Sequence, residues 1–170
     1  NVTGDATVNS YGELVGGYLS IEIENTAPLT DLAINLTNAL VSIEDDPSYA
    51  GTISIDATGN NELSLDFDAA TKLAFTVEAN SVLGVDESEF NAVTSITAGG
   101  SGVLLLGDLS GASSSEDFTN EANDLTSITV TGGVSVFAMI DPSARGTGPL
   151  ASTGASFACN SGTGASDNVI

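Results

Sequence analysis

Basic residues are almost absent from this sequence. Its 170 residues contain two of them, Lys72 and Arg145, against 23 Asp and Glu residues, so the formal net charge is −21 at pH 7. Nucleic-acid binding draws on Lys and Arg side chains that displace counterions from phosphates, and anionic membrane surfaces attract basic segments in the same way. The sequence therefore excludes nucleic acid as a partner and predicts repulsion from anionic membranes. Association between subunits of such charge should depend on salt or on cations.

Histidine and tryptophan are absent, and cysteine occurs once, as Cys159. Without histidine there is no imidazole base to activate a serine or cysteine nucleophile. A single cysteine forms no intrachain disulfide. Glycoside hydrolysis by paired carboxylates is disfavoured because aromatic residues, which line sugar clefts, are only 5% of the chain. The sequence predicts that the protein is not an enzyme.

Long apolar segments are also lacking. The densest run, residues 102–107, is far too short to cross a bilayer, so membrane insertion is not expected. The chain begins with Asn1 rather than Met, which leads us to expect a mature protein whose leader has been removed. The expected location is extracellular or at the cell surface.

Alternation of apolar and polar residues is the dominant pattern that is present. Residues 19–24, 31–38, 52–56, 128–130 and 134–140 show a period of two, which is typical of strands with one buried face. Turn residues separate the segments, and Gly132-Gly133 reads as a hairpin turn. Short strands at a spacing of about ten residues predict an all-β fold, an antiparallel β-sandwich of jelly-roll-like form. One or two short helices are expected in loops, over residues 86–93 and 115–125.

The expected organisation has three parts. Residues 1–10 form an N-terminal extended segment, residues 11–142 form the sandwich core, and residues 143–170 form a Gly/Ser-rich segment with room for a last strand. Within the core, Phe67, Phe75 and Phe137 are predicted to be buried.

The N-terminal segment has two interpretations. It is either an ordinary edge strand of its own subunit or a donor strand that adds to a neighbouring subunit by β-augmentation. Small residues at alternate positions would let a donated strand lie deep between sheets. The residues at these positions are Val2, Gly4, Ala6 and Val8.

Acidic clusters suggest calcium, which prefers six to eight oxygen ligands from carboxylates and carbonyl groups. No cluster matches the twelve-residue EF-hand loop, and solvated acidic turns are the alternative explanation. The candidate ligands are Asp45, Asp46, Asp86, Glu87, Glu89, Asp108, Glu116 and Asp117. Two sequons permit N-glycosylation at Asn1 and Asn35. The one lysine, Lys72, precedes an alternating segment and is expected at a strand end, paired with an acid.

Residues 16–36 carry a short resemblance to a known group. Gly17-Tyr18-Leu19 opens a strand that ends at Glu24-Asn25, and a short turn leads to a second strand. This arrangement resembles the early part of the TasA/camelysin group, to which archaeal bundling pilins and cannula proteins are similar in fold. The resemblance implies a secreted jelly-roll-like sandwich whose subunits are joined into extracellular fibres by donated N-terminal strands.

These observations predict a structural subunit of an extracellular filament, a homopolymer joined by its N-terminal strand. One alternative is a viral capsid or decoration protein from a salt-loving host, which would form closed particles. Another is a calcium-dependent adhesin or carbohydrate-binding module, which would bind calcium or glycan as a monomer.

Overall fold

The computed structural model describes residues 6–11, 19–23, 31–45, 51–67, 69–86, 88–89, 91–109, 120–121, 124–139 and 156–161. These residues form two sheets in which every pairing between strands is parallel. Sheet A contains β1 (Ala6–Tyr11), β3 (Asp31–Thr37), β5 (Thr52–Thr58), β7 (Lys72–Val77), β10 (Ser95–Gly100), β13 (Ser127–Gly132) and β15 (Ser156–Ser161), side by side in that order. Sheet B contains β2 (Leu19–Ile23), β4 (Leu40–Asp45), β6 (Asn60–Asp66), β8 (Val82–Val85), β9 (Ser88–Glu89), β11 (Val103–Asp108), β12 (Asn120–Glu121) and β14 (Ser135–Met139).

The fold is a β-solenoid, so the expected antiparallel β-sandwich of jelly-roll-like form is wrong. The chain alternates between the sheets, and each strand of sheet A pairs with the next one in the same sheet. Two strands per coil at the observed lengths produce the ten-residue spacing that a sandwich would also produce. Gly132-Gly133 is not a hairpin turn, because it leads from β13 in sheet A to β14 in sheet B.

The helices expected in loops are also not observed where the structure describes those segments. Residues 88–89 and 120–121 are the short strands β9 and β12, which pair with each other in sheet B. No helix in the described ranges is long and apolar enough to cross a membrane.

Columns of apolar side chains between the sheets form the core. Parallel in-register pairing places each residue beside its counterpart in the next strand, on the same side of the sheet. Under sheet A the columns are Leu32, Ile53, Leu73, Ile96 and Ile128, then Ile34, Ile55, Phe75, Ala98 and Val130, then Leu36, Ala57 and Val77. All of these side chains are at most 2% exposed. Burial stabilises the fold by about 1.5–3 kcal/mol for each large aliphatic or aromatic side chain.

A residue with positive φ lies at or beside each described corner from sheet A to sheet B. Such backbone is accessible to Gly and, among other residues, mainly to Asn and Asp. The five residues are Asn38 (φ 49°), Gly59 (φ 80°), Asn80 (φ 60°), Gly100 (φ 96°) and Gly132 (φ 76°). Asn and Gly at these positions therefore allow the chain to change sheets.

A buried amide side chain bonds backbone groups of three strands of sheet B, β8, β9 and β11. Asn120 is 1% exposed. Its Nδ2 donates to the carbonyl oxygens of Val85 at 2.9 Å and Leu106 at 2.7 Å, and its Oδ1 accepts from the Ser88 N–H at 3.0 Å. One amide thus joins two successive coils, that of β8 and β9 and that of β11 and β12. A buried amide with all three partners carries no desolvation penalty for unmade bonds.

We expect Gly100→Ala to lower the free energy of unfolding by about 1–3 kcal/mol, because a Cβ there combines strained φ with a contact against the Val77 carbonyl oxygen. Chemical denaturation measures the change. Gly99→Ala is the matched control, since its Cβ would meet only the Thr131 Oγ1 at 3.2 Å and the Phe75 carbonyl oxygen at 3.8 Å. Equal destabilisation by the two substitutions would contradict the role of positive φ at this corner.

Candidate assembly edges and charged faces

The two terminal strands of sheet A are its edges. Among the described strands, β1 pairs only with β3, and β15 pairs only with β13. The backbone of an edge strand presents N–H and C=O groups to which another strand can add. Because β1 and β15 lie at opposite ends of the sheet, these two edges face opposite directions along the solenoid.

The register continues the core columns to both edges. Ala6 and Val8 of β1 lie opposite Leu32 and Ile34, while at the other end Phe157 and Cys159 of β15 lie opposite Ile128 and Val130. The β1 edge thus has Ala and Val, and the β15 edge Phe and Cys, at the register positions of the same two columns.

Of the residues predicted for strand donation, Ala6 and Val8 lie in β1, which pairs in parallel with β3 of the same chain. Val2 and Gly4 lie outside the described residues.

Five carboxylate residues share one register position along sheet B. Glu22 lies opposite Glu44, Glu44 opposite Asp66, Asp66 opposite Glu89, and Glu89 opposite Glu121. Glu44, Asp66 and Glu89 are exposed. Neighbouring strands are about 4.8 Å apart, and like charges directly opposite each other destabilise a sheet. We call this row the acidic ladder.

The acidic ladder was not predicted from the sequence, although Glu89 was among the candidate calcium ligands. Neighbouring members of the ladder are separated by between 22 and 32 positions along the chain. Only the parallel register brings them together. The signal that could have revealed the ladder is the repeat of about 20 residues that separates equivalent strands.

The predicted calcium ligands do not form one group in the part of the chain that is described. Asp86 is 8% exposed, and its N–H donates to the Leu63 carbonyl oxygen at 3.0 Å. Asp45 ends β4 and Asp108 ends β11. Asp46, Glu87, Glu116 and Asp117 lie outside the described residues. Within the described ranges, no three acidic or cysteine side chains are placed to hold a metal ion together.

Sheet A presents a different outer surface, made of small residues. Its middle column is Ala33, Ser54, Ala74, Thr97 and Thr129, and the flanking columns are Asp31, Thr52, Lys72, Ser95 and Ser127 on one side and Asn35, Asp56, Thr76 and Gly99 on the other. Among these positions only Asp31, Asp56 and Lys72 are charged. The outer side of sheet B carries Glu44, Glu62, Asp66 and Glu89 with no basic residue at its described positions. The charge of the solenoid is therefore divided unequally between its faces.

Lys72 does begin a strand, as expected, and it is exposed. Its neighbours in the column are Thr52 and Ser95, so neither described residue paired with it is an acid. The nearest carboxylate in that column, Asp31, is two strands away, or about 10 Å.

Two further expectations concern single side chains. Phe67 and Phe75 are buried, but Phe137 is 41% exposed on sheet B, because it stands at an outward position opposite Leu105. The sequon residue Asn35 is half-buried on the outer side of sheet A, and Asn1 lies outside the described residues. Neither glycosylation site is tested by the geometry.

Comparison of the chain with protein-family models, with curated proteins and with solved structures finds no match.

We expect Glu44→Gln to raise the free energy of unfolding by about 0.2–1 kcal/mol at low ionic strength, because Glu44 lies between two other carboxylates in the acidic ladder. The gain should shrink when salt is raised from about 0.02 M to about 0.5 M. Denaturation at both salt concentrations measures it. Asp31→Asn is the matched control, since its partner in β5 is the uncharged Thr52. A gain that is equal for both variants, or independent of salt, would contradict repulsion within the ladder.

Proposed function

We propose that the protein is a structural subunit of an extracellular filament in which copies stack end to end. The β15 edge of one subunit adds to the β1 edge of the next, and sheet A continues from copy to copy. The N-terminal strand keeps its pairing with β3 and offers its second edge to the neighbour. Assembly through the N-terminal strand, as expected from the sequence, is therefore kept in the proposal. The difference is that the contact is made at a sheet edge and not between the two sheets of a sandwich.

One observation carries the proposal: the first and last strands of sheet A in chain order are also its two spatial edges. Contact between two different edges is heterologous, and a heterologous contact that does not close generates an open filament. A parallel strand added at either edge would find the same pairing that all described strands already make.

The core columns support the same arrangement. Phe157 and Cys159 of one copy would follow Ile128 and Val130 in their columns, and Ala6 and Val8 of the next copy would come directly after them. The junction would pair the large Phe157 with the small Ala6 in one column and two residues of similar size, Cys159 and Val8, in the other. Such pairing lets neighbouring layers pack without a void. The composition also suits an exposed fibre, since two basic residues in 170 leave few sites for trypsin-like proteases.

Proline substitution at the β1 edge tests the proposal. In a strand, consecutive N–H groups point to opposite neighbours, so one of Val8→Pro and Asn9→Pro removes a bond to β3 and the other removes an N–H from the outer edge. We expect the less destabilised of the two variants to be folded but unable to form filaments. The measurement is negative-stain electron microscopy together with denaturation.

The control is Ser at the same position, which keeps the backbone N–H. Filaments of normal length from the tolerated proline variant would overturn the proposal. So would wild-type material that stays monomeric, or forms closed particles, at every concentration with and without calcium. Closed particles would favour the capsid alternative. Loss of filaments on chelation alone would show that a divalent cation offsets the subunit charge.

A further inference from the structure

We propose that the outer surface of sheet A is a second contact between copies, in which two solenoids pack face to face and Lys72 of each copy pairs with Asp56 of the other. This contact is lateral and independent of the end-to-end contact above. The proposal rests on the charge, the shape and the size of this one face.

Charge selects the face. A chain with a net charge of −21 that associates with its own copies must do so where repulsion is weakest. The outer positions of sheet A carry two acids and one base, whereas those of sheet B carry four acids and no base within the described residues. The exposed side chain of Lys72, the only lysine in the sequence, stands on this face with uncharged neighbours on both adjacent strands.

Shape permits close approach. The middle column of the face contains only Ala, Ser and Thr. Small side chains let two sheets pack with their side chains interdigitated at about 10 Å. The outward positions of the five central strands, β3 to β13, contain no aromatic residue, so nothing there would hold the sheets apart. Tyr11, opposite Thr37, occupies an outward register position on the edge strand β1.

Size is sufficient as well. Seven strands of about six residues cover about 34 Å by about 20 Å, or about 670 Å² for each copy. Two such faces would bury about 1,300 Å², which exceeds the ~1,000 Å² that a specific interface needs.

Symmetry identifies the acid that pairs with Lys72. A two-fold axis in the plane between two packed faces can be placed so that a chosen residue of one copy lies opposite a second chosen residue of the other copy. The same axis places the second residue of the first copy opposite the first residue of its partner, so a Lys–Asp pair formed once is formed twice. If Lys72 paired with Asp31 of the other copy, the two-fold axis would run along β5, which lies midway between these two residues. Asp56 is on β5, so the Asp56 residues of the two copies would then lie opposite each other and repel. Exchanging Lys72 with Asp56 brings no two like charges together, which makes Asp56 the partner.

Charge reversal and exchange test the inference. We expect Lys72→Asp to raise the dissociation constant of the dimer at least about tenfold, since two favourable pairs become two repulsive ones. The double variant Lys72→Asp with Asp56→Lys restores the pairs with reversed sign and has the wild-type net charge, so it should recover most of the affinity. Sedimentation equilibrium at about 0.15 M salt measures all three proteins, and circular dichroism verifies that they are folded.

If the wild type forms filaments, the dissociation constants are measured in the folded proline variant of β1, in which end-to-end growth is blocked. Filament width is then compared between the wild type and Lys72→Asp without the proline substitution. Narrower filaments of unchanged length in Lys72→Asp would support the lateral contact. Dimers without filaments would support it while refuting end-to-end stacking. A wild type that is monomeric at all concentrations, a Lys72→Asp variant that associates as well as the wild type, or a double variant that is not rescued would overturn it.

Discussion

In-register parallel pairing is the constraint on which the rest of this structure depends. It places each paired residue beside one that lies 20 to 32 positions further along the chain, so the chemistry of one coil is repeated in the next. Apolar residues such as Ile34 and Ile55 thereby form continuous columns that exclude water from the space between the sheets. The same repetition acts on polar residues, because Glu44 and Asp66 are brought as close together as the apolar pairs are. A stable core and a self-repelling surface are two results of one geometry.

The same repetition applies to the corners between the sheets, where the same residue types recur from coil to coil. A residue with left-handed backbone lies at or beside each described corner where the chain leaves sheet A, and it is Asn or Gly in every case. Side chains at these corners bond the next coil: the Asn38 Oδ1 accepts from the Asn60 N–H at 3.1 Å, and the Ser81 Oγ accepts from the Gly59 N–H at 2.8 Å. The corners therefore turn the chain and also join consecutive coils.

The sequence predicts the individual strands well and their arrangement poorly. Alternation in residues 31–38 and 52–56 correctly identifies β3 and β5 because it reports that one face of each strand is buried. Burial of one face does not depend on the direction of the neighbouring strand, so a sandwich and a solenoid give the same local pattern. The Gly-rich composition of residues 98–102 is typical of a turn, yet Ala98 is a buried member of β10. The acidic ladder and the position of Lys72 depend on register alone, which no local pattern contains.

Division of charge between the sheets determines how the two proposed contacts respond to ionic strength. Each copy added end to end would bring its own acidic ladder to the assembly, so each addition meets repulsion that salt reduces. A lateral partner on sheet A lies beyond the core, and packed sheets are about 10 Å apart. The Debye length at about 0.15 M salt is about 8 Å. Carboxylates on sheet B are thus largely screened from a copy on sheet A, while Lys72 and Asp56 in direct contact are not. Salt should therefore favour axial growth and change lateral pairing much less, which separates the length of an assembly from its width.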